Sequence, residues 1–128
     1  VKNWSGHIYF DEGFEWKNLD KAFPDMWDAI TKETKQNQEE AQYDSLYLEL
    51  NKEEIGKNKK PIGYTKEGAK FRMVFPLGNR EMIIYRGLMS EDIKDITERM
   101  AKILKAKKIK VSVEYDKMFL YDVKRRKK

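Results

Sequence analysis

The chain has 128 residues, no cysteine, and 27 lysines and arginines against 22 aspartates and glutamates. That length predicts one domain with a real core, burying about two-thirds of its unfolded surface. No run approaches the 18 apolar residues of a transmembrane helix, and the missing thiols exclude disulfides, thiol catalysis, zinc ribbons and iron–sulfur clusters.

The first apolar piece, His7-Ile8-Tyr9-Phe10, reads as a short strand closed by the turn residues Asp11-Glu12-Gly13. Leu19, Ala22, Phe23, Met26, Trp27 and Ile30 then recur at spacings of three and four, one face of a helix. Proline is tolerated in a first turn and breaks an interior. Pro24 therefore places a turn at 18–22 and the main helix from residue 24 onward. From Thr31 to Gln42 only Ala41 is apolar, so composition leaves open whether the helix continues as a solvated overhang or gives way to a loop.

Ser45-Leu46-Tyr47-Leu48-Glu49-Leu50 alternates, with the three leucines on one side, and predicts a half-buried strand. Asn51 to Ala69 is rich in lysine and glycine and reads as a long connection of a length that is often functional. Lys70 to Phe75 alternates again with Phe71, Met73 and Phe75 inward. Residues 76–80 form a turn and Glu81 to Arg86 the returning strand of a hairpin.

Ser90 to Lys108 is the clearest helix. Ser90 suits an N-cap, acids crowd its first turns, lysines crowd its last, and Ile93, Ile96, Met100, Ile103 and Leu104 form a buried stripe. Ile109 to Tyr115 alternates as a strand, and Met118 to Val123 predicts a last short one. Two strand–helix–strand units, at 7–50 and 82–114, point to an α+β domain over residues 1–123. In it, two helices pack on one face of a mostly antiparallel sheet. The arrangement is ferredoxin-like, a duplicated βαβ with an extra hairpin and C-terminal strand. Residues 124–128 form a basic flexible tail.

That tail, Lys124-Arg125-Arg126-Lys127-Lys128, holds the whole net charge: without it the balance is 22 against 22. Residues 1–64 carry 9 basic and 13 acidic side chains, residues 65–128 carry 18 and 9. Such a polarised chain predicts a phosphate-binding second half, because each neutralised phosphate releases counterions. The candidate contacts are Lys70, Arg72 and Arg86 on the hairpin, and Lys102, Lys105, Lys107, Lys108 and Lys110 around the end of the long helix. Lys124, Arg125, Arg126, Lys127 and Lys128 complete the set.

Enzymatic signatures are sparse. His7 is the one histidine, so a two-histidine metal site is excluded and a Ser-His-acid relay needs a serine and an acid to converge on it. The acidic groups Asp11-Glu12-Glu15 and Asp20-Asp25-Asp28 read as solvated and helix-terminal residues rather than a metal site. Gly56, Gly63 and Gly68 make no phosphate loop, and Gly68 to Phe75 lacks the aromatic spacing by which RNA-recognition sheets stack bases.

The expectation is therefore a non-enzymatic nucleic-acid-binding accessory protein with DNA ahead of RNA as partner. No cofactor or metal is implied, nor a membrane partner, since no basic amphipathic helix exposes an apolar face. The N-terminal residues lack the apolar stretch of a signal peptide, which fits a cytoplasmic protein, and the Lys/Ile/Asn/Glu bias suits an AT-rich bacterial genome or its mobile elements. The alternative is a protein-interaction or inhibitor module built on the acidic, aromatic first half and the 51–69 loop. In that reading Trp4, Phe14 and Trp16 are exposed anchors or pack under the sheet edge.

Overall fold

The computed structural model describes residues 2–34 and 37–116. The predicted strand at 118–123 and the basic tail lie outside the described residues. Elements run in the order β1 (Asn3–Phe10), a 3-10 turn (Trp16–Leu19), α1 (Phe23–Thr31), α2 (Gln38–Gly56), β2 (Arg72–Val74), β3 (Glu81–Ser90), α3 (Asp92–Ala106) and β4 (Val111–Tyr115). Among the described residues the strands form one antiparallel sheet in the order β2-β3-β1-β4. The protein is thus α+β, with three α-helices and four strands among the described residues, and no described helix is long and apolar enough to cross a membrane.

The register fixes which side chains share a face. Ile8 pairs with Met82 and Val113, Gly6 with Ile84 and Tyr115, and Met73 with Ile84. These residues face the helices. Phe71, Met73 and Phe75 are buried as their alternation predicts. They join Phe23, Met26, Trp27 and Ile30 of α1 and Ile93, Ile96, Met100 and Leu104 of α3 in one core. Phe14 is buried too, and Phe10, Phe14, Trp16 and Phe75 interlock edge to face or stacked, so Phe14 and Trp16 are core aromatics, not exposed anchors.

Residues 45–50 are not a strand; they lie in the middle of the nineteen-residue α2. Leu46, Leu48 and Leu50 satisfy a period of two, yet Tyr43, Leu46, Tyr47 and Leu50 equally satisfy spacings of three and four. Local chemistry decides for helix. No β-branched residue occurs between Gln38 and Glu54, Glu and Leu are strong helix formers, Glu39 and Glu40 sit in the first turn, and the Asn37 side chain accepts the Glu40 N–H at 2.8 Å. Tertiary contact then selects the buried side: Asp44, Asn51 and Ile55 turn inward while Leu46 stays 57% exposed. The question over residues 31–42 resolves as a break, with α1 ending at Thr31 and a new helix beginning at Gln38. The connection predicted over 51–69 correspondingly shortens, because 51–56 belong to α2.

Smaller differences have equally local causes. β1 starts at Asn3, four residues before the apolar run, because it is held on both sides by β3 and β4. α3 begins at Asp92 with Glu91 already helical, and Ser90 still accepts the Asp92 N–H through Oγ at 3.2 Å. The helix ends at Ala106, and Lys108 just beyond it, at φ 63°, lets the Ile109 N–H return to the Leu104 carbonyl.

α3 crosses β1 closely at Gly6. A Cβ placed on Gly6 would lie 1.9 Å from Thr97 Oγ1, and Thr97 is fully buried with that hydroxyl donating to the Ile93 carbonyl at 2.7 Å. Gly6→Ala should therefore cost about 2 kcal/mol through overpacking, read from the urea midpoint. Thr97→Ala, which removes the nearest atom, should recover part of that loss in the double variant, whereas simple additivity would show that the two sites do not meet.

Candidate nucleic-acid interface

The predicted basic residues divide among three places. Lys107, Lys108 and Lys110 line a cleft of about 590 Å³ together with Lys17 and Lys21. The cause is topological. Phe10 at the end of β1 pairs with Val111 at the start of β4, so the residues that leave β1 lie beside the turn that enters β4. Asp11 N–H donates to the Lys110 carbonyl at 3.2 Å and closes that corner. Buried Phe14 and Ile109 also line the cleft, while all five lysines are exposed. Asp11 and Asp20 are the two acids lining it. Among the described residues, Lys17 reaches Glu15 at 3.3 Å, a solvent-exposed pair worth little. Lys21, Lys107, Lys108 and Lys110 make no ion pair there. The C-terminal dipole of α3 adds about half a negative charge, so the cleft keeps an excess of roughly two to three positive charges.

Lys102 and Lys105 sit elsewhere, in a groove between α3 and β4 that also holds Arg99, Asp95, Glu98 and Tyr115. Its charges are nearly balanced, and Arg99 further reaches Glu33 at 3.7 Å. Burial, then Glu98 and Asp95, raise the Tyr115 phenol above its ordinary value, which marks this groove as partly negative.

Lys70 and Arg86 converge on one carboxylate. Both lie 3.2 Å from Asp92, at the first turn of α3, and both flank the Phe71 ring, at 5.3 and 5.5 Å from its centroid. These two cations brace the hairpin against the helix N-terminus. Arg72 is half-buried opposite Tyr85, on the sheet face away from the helices. The tail residues Lys124 to Lys128 lie outside the described residues.

That second sheet face carries Ser5, His7 and Tyr9 of β1 and Glu81, Ile83 and Tyr85 of β3. Ser5 Oγ is 2.8 Å from His7 Nε2, and His7 Nδ1 is 2.7 Å from Glu81 Oε2. A serine and an acid thus do converge on the histidine, in the order of a nucleophilic relay. Ser5 and His7 are each only 1% exposed and line none of the clefts described here, so the chain of contacts ties β1 to β3 without offering a nucleophile to solvent. Tyr9 extends it: burial, then Glu81 and Glu114, push its phenol up to about 12. Tyr9 and Tyr85 stand where an RNA-binding sheet would present aromatics, but Glu81 and Glu114 on the same face repel phosphate.

The helix pair α1–α2 differs from a helix-turn-helix in spacing and charge. Six residues separate the helices, and α2 carries Glu39, Glu40, Asp44, Glu49, Glu53 and Glu54 against Lys52 alone. No group of three or more His, Cys, Asp or Glu side chains able to hold a metal occurs among the described residues.

Lys17 and Lys21 are the members of the cleft that sequence reasoning missed. Their spacing of four around a turn is visible, but nothing local connects them to residues 107–110. Compared with known proteins, the chain matches no family model, no curated protein and no solved structure.

Burial opposes ionisation of Asp92, yet the Lys70 ammonium and Arg86 guanidinium outweigh it and hold the carboxyl below its ordinary value. A carboxyl depressed in the folded state contributes stability that is full above its unfolded value, about 3.9, and is lost as pH falls through the lower folded value. Asp92→Asn should therefore be less stable than the parent at pH 7, with the gap in urea midpoint closing toward pH 2. A gap independent of pH would show that the two cations do not act on this carboxylate.

Proposed function

We propose that this chain is a non-enzymatic nucleic-acid-binding accessory protein that grips the phosphate backbone, with DNA ahead of RNA. The observation that carries the reading is the cleft in which Lys17, Lys21, Lys107, Lys108 and Lys110 stand around two aspartates. Lysine is a compact point charge on a flexible stem, suited to phosphate and poor at reading base edges. The contacts therefore position a backbone with little sequence discrimination. DNA is placed ahead of RNA because the sheet face that would stack unpaired bases carries Glu81 and Glu114. The basic tail would add charge to the same task, since five cations in sequence gather counterion-release energy wherever phosphate is near.

β1 and β2 flank β3, while β3 and β4 flank β1, and each pair is joined through helices. Two interleaved strand–helix–strand units of that kind support a ferredoxin-like arrangement, with α2 as an addition to the first unit.

The test is a salt titration with duplex DNA, single-stranded DNA and RNA, using the full chain and a chain ending at Val123. The shortened chain should still bind, and Lys107→Gln with Lys110→Gln should weaken all sequences alike and reduce the slope of log K against log salt by about two. Lys52→Gln on α2 should leave binding unchanged. Lys108→Gly should separate binding from folding, because it removes a cation while relieving a left-handed backbone position by roughly 1 kcal/mol. That variant should be more stable and bind less. Binding that vanishes with the tail, or ignores the cleft lysines, overturns the reading.

A further inference from the structure

α2 shows its apolar residues to solvent. Tyr43 is 46% and Leu46 57% exposed, and Ile62, on the segment facing the helix, is 50% exposed. These are three of the six large hydrophobic side chains exposed among the described residues, and Tyr43 and Ile62 line one groove. The helix does not need Tyr43 and Leu46 for its own anchorage, because Ile55, the half-buried Tyr47 and Leu48, and two polar side chains supply it. Fully buried Asn51 donates to the Tyr47 and Gly63 carbonyls at 2.8 and 3.2 Å and accepts the Gly63 N–H at 2.8 Å. Asp44 accepts from the Tyr64 hydroxyl at 3.1 Å and from Lys66 Nζ at 3.2 Å. Gly63, at φ 96°, has no room for a Cβ, which would lie 2.5 Å from the Met73 carbonyl oxygen. The segment 62–67 is thus clamped beside α2 in one geometry.

Between them lies a groove of about 220 Å³, walled by Tyr43 and Tyr47 on the helix and by Ile62 and Thr65 opposite. Tyr43 and Lys66 also line a wider depression of about 590 Å³ bordered by Glu39, Glu40 and Glu67. The Tyr43 and Tyr47 rings are 4.5 Å apart and tilted by 37°. Among the described residues Lys66 is the one cation lining either hollow, and its side chain is 13% exposed and engaged by Asp44 and Glu40. The electrostatic field is therefore negative over an apolar, aromatic floor, on a helix with six acids and one lysine.

We propose that this groove docks a short basic segment of a partner protein. An arginine or lysine side chain would lie over the tyrosine pair among Glu39, Glu40 and Glu67, and an apolar neighbour would rest on Ile62. The charge selects the occupant. Nucleic acid is repelled by these carboxylates, and an acidic segment likewise, whereas a guanidinium gains both cation–π and carboxylate contacts. The size selects a segment rather than a folded domain, since a stable domain interface covers about 800 Å² per partner. The clamped walls lower the ordering cost of such binding. This inference stands independently of the phosphate reading and uses other residues.

The test titrates the isotope-labelled full chain with a twelve-residue peptide alternating arginine and leucine, with an arginine–glycine peptide and a glutamate–leucine peptide as comparators. The expected result is saturable binding of the first peptide, with amide shifts centred on Tyr43, Tyr47, Ile62 and Glu67. Tyr43→Ala and Ile62→Ala, both at exposed positions, should each weaken it about tenfold. Glu39→Gln with Glu40→Gln should weaken it and flatten its salt dependence. Equal binding of the arginine–glycine peptide, indifference to both alanine variants, or shifts elsewhere would overturn the proposal. So would the same shifts appearing without peptide as protein concentration rises, which would make a second copy of the chain the occupant.

Discussion

Strand β1 is paired on both sides, and the placement of nearly everything else depends on that. Its partners β3 and β4 come from the second half of the chain, so Asn3–Phe10 is fixed only when residues 81–115 are in place. The pairing requires α3 to cross directly over Gly6, where a side chain of even one carbon would strike Thr97. It also sets the face rule. Even positions of β1 meet the helices, and odd positions carry the buried Ser5–His7–Glu81 chain on the other side. Polar groups so deeply enclosed specify register, because a one-residue slip would bury apolar and polar side chains on the wrong faces.

The same pairing builds the basic cleft. Two segments nearly a hundred residues apart, 11–21 and 107–110, are brought together because the end of one strand meets the beginning of another. Charge that is dilute along the chain becomes concentrated in space. The opposite happens to the hairpin cations: Lys70 and Arg86 are drawn onto Asp92 and serve the junction of sheet and helix. A count of basic residues treats these alike; their carboxylate neighbours distinguish them.

Acid and base are segregated at the level of elements. α2 and the segment beside it form an acidic, aromatic surface, while the β1–β4 corner forms a basic one. A mean charge near zero for residues 1–123 thus conceals two fields of opposite sign, each suited to a different class of partner. The long α2 makes this possible, since it is held by Asn51, Asp44 and Ile55 and leaves Tyr43 and Leu46 to the solvent side.

The sequence by itself determined the elements whose local signals agree. α3 is one, with its dipole-matched ends and its 3-4 stripe; the hairpin around Pro76–Arg80 is another, and so is the start of α1 set by Pro24. In these, period, capping and turn chemistry all point the same way. Residues 45–50 were ambiguous because leucines at every second position fit a strand while their neighbours fit a helix, and the period alone does not rank the two. The Asn37 cap and a run free of β-branched residues decide for the helix, and the tertiary demand for Asp44 and Asn51 to meet Tyr64 and Gly63, a contact encoded in no local window, selects its buried side. The net basic charge was likewise legible, but its site was not. Lys17 and Lys21 acquire meaning only from the antiparallel pairing of β1 with β4, because electrostatic potential depends on distance in space and the chain displays only distance in sequence.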